Sequence, residues 1–112
     1  LPYPQVKEFN TRYKAATGVE PQWYHAMAYE TTRALLAAIS KAGSLDAEKI
    51  RAALASLRME KSIVPGQVLW FTKTGQADLP FVVTQNKPGG KVDLVWPKDS
   101  KTGEPVAPIP AK

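Results

Sequence analysis

His25 is the only histidine in the 112-residue chain and there is no cysteine, so the side chains that most often carry nucleophilic, acid–base or metal chemistry are nearly absent. A catalytic triad would have to be built around His25, and no G-x-S-x-G nucleophile elbow accompanies it. A metal would need neighbouring ligands, and Glu30 lies five residues on, off the same helical face. In the first turn of a helix, His25 reads as a side chain touching water or a backbone carbonyl. Asp46 and Glu48 open a helix, where the dipole alone accounts for two acids. Gly66 and the Gly89-Gly90 pair lack the Lys-Ser/Thr finish of a phosphate loop and read as turn glycines. An enzyme has no residue here to rest on, and neither a metal nor a cofactor is implied. Binding has one candidate place, the Trp23-Tyr24 pair just inside the second helix. A helix N-terminus offers free N–H groups to an anion, and an aromatic there packs on a ligand's apolar part. The competing reading is that one ring fills the core while the other caps it; Trp70 and Phe71 read as packing of that plainer kind.

Composition narrows the class. A length of 112 residues supports one modest core, and 44% apolar with 22% charged residues describes an ordinary folded chain. The net charge of +5 invites nucleic acid, but its distribution argues against it. Arg12, Arg33, Arg51 and Arg58 are scattered among acids in the first half, and positions 61 to 112 carry only Lys. No nucleic-acid partner is expected. The longest apolar stretch, Ala34 to Ile39, is far short of the roughly 20 residues that cross a bilayer, and no signal peptide is recognisable. Leu1 is not an initiator Met, so the chain is read as a piece of a longer product.

The elements that must position these side chains follow from periodicity. Pro4 in a first turn, Val6, Phe9, Tyr13 and Ala16 at helical spacing, and Gly18 as a left-handed cap predict a helix over about 4 to 17. A second helix opens near Pro21 or Gln22 and stops at Gly43, with Tyr24, Met27, Ala28, Thr31, Leu35, Ala38, Ile39 and Ala42 as its expected buried stripe. The third, capped by Ser44 or Asp46, presents Ile50, Ala53, Leu54 and Leu57. The period then changes to two, and strands are expected at 67–71, 81–85 and 92–96, the first followed by a turn at 72–76 and the last two joined through the Pro88-Gly89-Gly90 loop. Val92, Leu94 and Trp96 share one face of the last strand. Pro105, Pro108 and Pro110 predict an extended tail without hydrogen-bonded structure. Three helices followed by about three strands look α+β. Three strands do not cover three helices, so they form either a small α+β unit or the edges of sheets completed elsewhere.

In order, FNTRYKAATGVEP, the helix from Ala26 to Ile39 (AMAYETTRALLAAI), KAGSLDAEKIRAALASL, PGQVLWFTKTGQ and VVTQNKPGGKVDLVWP resemble the C-terminal third of a periplasmic (type I) substrate-binding protein of the branched-chain amino-acid kind. Glu30-Thr31 departs from the Tyr-Asp-Ala that often follows at Tyr29 in that family. The resemblance implies an α/β fold of two lobes joined by three crossing strands, with one small molecule bound between them. By that analogy 1–79 closes the first lobe, 80–112 belongs to the second, and Ala77 to Phe81 is one crossing. It further implies an ABC importer with a membrane permease as partner, and a periplasmic or lipid-anchored extracellular location. Tyr24 falls where the family often directs a side chain into the cleft, with Trp23 and His25 beside it as weaker candidates. The main anchors for an amino-acid, amide or aromatic-acid ligand lie outside this chain, so the piece alone is not expected to bind. Self-association or strand exchange is expected of its uncovered edges. The alternative is an independent α+β interaction module that docks a partner through its basic surface or the PVAPIP segment at 105–110.

Overall fold

A computed structural model describes residues 1–108; Pro110 of the expected Pro-rich tail lies outside the described residues. The chain opens with α1 (Pro4–Thr17), with Pro4 in its first turn. Gly18 ends α1 at φ 77, its N–H donating to Lys14 O at 2.8 Å. Next, α2 (Trp23–Ala42) stops at Gly43 (φ 58). The third helix, α3 (Ala47–Ala55), is capped by Asp46, whose Oδ1 accepts the Lys49 N–H at 3.0 Å. All three helices fall where periodicity places them.

The buried face of α2 does so only in part, with Met27, Ala38, Ile39 and Ala42 of the expected stripe at least half buried. Glu30, Ala34 and Ala38 are buried and Met27 and Ala37 pack beside them, whereas Tyr24, Ala28, Thr31 and Leu35 of the expected stripe are exposed. Ala and Leu line more than one side of α2, so composition leaves its rotation open; contact with α3 and the strands that follow selects the small-residue face. A strand was also missed. Leu57 lies past the end of α3, and β1 (Arg58–Glu60) follows at once; its residues are good helix formers that read as a continuation of the helix.

Strand β1 pairs antiparallel with β2 (Val68–Trp70), Met59 opposite Leu69. Leu57, Val64 and Leu69 meet Ala34 in the core, ringed by Met27, Leu54, Met59, Phe71 and Leu79. After β2 the chain turns tightly, Thr72 N–H donating to Gln76 O at 2.8 Å with Gly75 in the left-handed region (φ 81).

The remaining strands, β3 (Val83–Lys87) and β4 (Lys91–Trp96), form a separate antiparallel hairpin turned at Pro88–Gly90. Among the described residues, four short strands thus make two ladders of two, so no single sheet covers the helices. On the expected inward face of β4 only Leu94 is buried, while Val92 and Trp96 stay exposed. The tail is more anchored than proline content suggests. Thr102 brackets Leu94, its N–H donating to Leu94 O at 2.7 Å and its Oγ1 accepting the Leu94 N–H at 2.9 Å. Val106 exchanges two bonds with the Gln85 amide, at 2.9 and 2.8 Å.

Among the described residues, no hydrogen bond or ion pair joins 82–108 to 1–81; the hairpin bonds only to itself and its tail. The shape follows. The radius of gyration is 16.9 Å, against about 13 Å for a compact domain of this length.

Candidate functional site

Where the helical body meets the segment leading to the hairpin there is an apolar cleft of about 580 Å³. One wall is the start of α2 with Trp23, Ala26 and Met27; the others are Val6 and Phe9 of α1, Ile63 and Pro65 of the β1–β2 turn, and Leu79 to Val82. Burial and exposure divide these residues by role. Phe9 and Ile63 are buried and fix the floor, while Trp23 is 76% and Phe81 85% exposed at the rim. Two large aromatics left that open contribute little to the core and are available to a ligand or a covering surface.

The three residues singled out in the sequence lie together at the start of α2 but face different ways. Trp23 lines the cleft. Tyr24 does not; it meets Trp23 edge-on, centroids 5.7 Å apart, and is half exposed. His25 serves the helix, with Nδ1 accepting the Gln22 N–H at 2.9 Å and the ring stacked 4.9 Å from Tyr13. That bond places any ring proton on Nε2 and satisfies one of the orphan donors at the helix start. Among the described residues, the N–H groups of Trp23 and Tyr24 have no protein acceptor. With Asn10 and Gln22 also on the cleft wall, the lining suits a small molecule with an apolar body and a polar or anionic end.

One wall is held by a buried charge whose role spacing did not show. Glu30 is 2% exposed and its Oε1 accepts from Ser62 Oγ at 2.6 Å and Ile63 N–H at 2.8 Å, while Arg33 Nη1 donates to both carboxylate oxygens at 3.0 Å. From α1, Gln5 Nε2 donates to Ser62 O at 3.1 Å and Gln67 Oε1 at 3.0 Å. The Lys61–Gln67 turn is therefore tied to both helices, and Ile63 and Pro65 reach the cleft from it. Sequence reasoning weighed Glu30 only as a metal partner for His25, and it missed Ile63, Pro65 and Phe81 as lining. The available signal was an acid in the middle of an apolar helix, which folding tolerates only with partners.

Among the described residues no three or more His, Cys, Asp or Glu side chains gather as a metal site would require, and no helix is long and apolar enough to cross a membrane. The described residues form a mixed helix-and-strand body with an apolar cleft, an architecture suited to binding a small molecule. The chain belongs to the periplasmic binding protein family, whose model matches residues 1–91. That match bears out the family resemblance read from the sequence and gives the chain a solute-binding role in a non-enzymatic family. A small-molecule ligand, a transporter partner and a periplasmic setting come with that role in general terms. The match ends at Lys91, so most of β4 and the tail lie beyond it. No solved structure matches the chain.

Proposed function

We propose that this chain is the C-terminal part of the solute-binding component of an ABC importer, with residues 1–79 in one lobe and 80–112 in the other. Its ligand is an amino acid or a related small carboxylate, amide or aromatic acid. The observation that carries this reading is the cleft between the helical body and the 79–82 segment, with Trp23 and Phe81 exposed on its rim. Exposed area supports the incompleteness. The chain presents 8279 Å², whereas a compact 12.3 kDa monomer presents about 6,100 Å². In this reading the difference is surface that the rest of the protein covers. Tyr24 and His25 stand beside the ligand as flanking residues, and Trp23 is its aromatic contact. The intact protein docks on a membrane permease from the periplasm, free or lipid-anchored, and the isolated piece self-associates or exchanges strands through its open hairpin edge.

The test is a thermal-shift screen of the intact protein against amino acids, amides and aromatic acids, followed by Trp23→Ala. We expect at least one class to raise Tm, and Trp23→Ala to weaken that ligand about tenfold or more, as for a buried aromatic anchor. No stabilising ligand in any class, or an unchanged affinity in Trp23→Ala, refutes the reading.

A further inference from the structure

The Lys61–Gln67 turn is more constrained than a connection between two three-residue strands requires. Ser62, Ile63 and Val64 are all buried, although turns ordinarily run over the surface. Lys61 (φ 55) and Gln67 (φ 63) are both non-glycine residues in the left-handed region, a strained state that persists only where surroundings over-determine it. Those surroundings are Glu30 of α2 and Gln5 of α1, which bond the turn from two sides. Gly66 (φ 79) then presents its bare Cα to the segment leading to the hairpin; a Cβ there would lie 2.9 Å from Pro80 Cγ and 3.1 Å from Cδ. The proline ring has no flexible end to swing away, so any side chain at 66 must push the 79–82 backbone.

We propose that the Lys61–Gln67 turn is an abutment, on which the Gly66–Pro80 contact sets the direction in which residues 79–82 leave the helical body and so how wide the cleft stands between Trp23 and Phe81. Gly66 and Pro80 are positioning residues; they act through Phe81 and the hairpin. The turn has the stiffness this needs, and the connector has the freedom, since no hydrogen bond or ion pair joins 82–108 to 1–81 among the described residues. The inference rests on the two-lobed reading above and deepens it.

The lack of cysteine allows clean labelling. Spin labels at Ser40→Cys on α2 and Thr84→Cys on β3 report the angle between body and hairpin by pulsed electron resonance. Restoring ordinary contact from 2.9 to 3.4 Å moves Pro80 by about 0.5 Å. With one Cα–Cα step of about 3.8 Å as the short arm and the extended span from Pro80 to Thr84 of about 13 Å as the long one, the label at Thr84 moves about 2 Å. Gly66→Ala is expected to shift the mean distance by about that amount, and adding Pro80→Ala to return it. Gly75→Ala is the control: it has the same left-handed backbone (φ 81) but nothing within 4 Å of its Cβ, so it should leave the distance alone. Pro80→Ala by itself, which removes the ring contact and also frees φ at position 80, should broaden the distribution. Equal shifts in Gly66→Ala and Gly75→Ala overturn the abutment, as does a wild-type distribution already as broad as that of Pro80→Ala. A failed ligand screen sinks the two-lobed reading instead and leaves these distances to stand or fall by themselves.

Discussion

Removing the carboxylate of Glu30 should unfold the helical body more effectively than any loss of apolar volume at the same position would. In Glu30→Ala the hydroxyl of Ser62, 0% exposed, and the N–H of Ile63 lose the carboxylate oxygen they share as acceptor. Each such buried donor left unpaired costs about 1–3 kcal/mol. Arg33 adds little, because its side chain is 38% exposed and water takes over its charge. The expected loss is about 3–5 kcal/mol, a large share of the roughly 5–15 kcal/mol that holds a domain folded. Glu30→Gln keeps an oxygen for Ser62 and Ile63 and spoils only the side facing Arg33, so about 1–2 kcal/mol is expected. Urea unfolding followed by far-ultraviolet circular dichroism measures both, with the midpoint moving at unchanged slope. A cycle with Ser62→Ala should give a coupling of about 1–2 kcal/mol, as for residues in one network. Glu30→Ala within about 0.5 kcal/mol of wild type, or no coupling to Ser62, would refute the reasoning.

Leu57→Ala should cost about 2–4 kcal/mol in the same titration, since Leu57 is buried against Ala34, Val64 and Leu69 where little can collapse into the gap. Gly103→Ala should free the tail: a Cβ there would collide with Asp93 Oδ2 and sit 2.7 Å from its Cγ. Trypsin cleavage at Lys101 is then expected to quicken several-fold while helix melting stays put; unchanged cleavage counts against a tail strapped to β4. Leu35→Glu with Leu36→Glu, both on the open side of α2, should leave unfolding within about 0.5 kcal/mol of wild type. The same pair should reduce any self-association of the isolated chain by gel filtration, and association unchanged by it would place the contact elsewhere.

The helices were legible because their ends carry local chemistry. Pro4, Gly18, Gly43 and Asp46 each act within one turn of their own position, and each does in the structure what its type predicts. The strand at 58–60 was not legible, because Arg58, Met59 and Glu60 carry helix propensity and only pairing with Val68 to Trp70 overrides it. At the candidate site the sequence put Tyr24 first, with Trp23 and His25 as weaker candidates beside it, whereas Trp23 and not Tyr24 lines the cleft; Ile63 and Phe81 come from distant segments and have no shared periodicity to betray them.

The partly misplaced stripe of α2 has a physical cause that bears on the function. A helix with one apolar face leaves no choice of rotation, whereas α2 carries Ala34 and Ala38 on one side and Ala28, Leu35 and Leu36 on others, a pattern found in helices covered nearly all round. In this chain only the Glu30–Ala34–Ala38 side is covered, and Leu36 is left 60% exposed. The stripe read from the sequence and the face buried in the structure share Met27 and Ala38 and part at Tyr24, Thr31 and Leu35. The buried face is set by the charge at Glu30, which finds donors on the Ser62–Ile63 turn and in Arg33 one helical turn on. On the two-lobed reading proposed above, the open faces are surface for the remainder of the protein, and the same geometry leaves Trp23, at the helix start, exposed at the edge of the cleft.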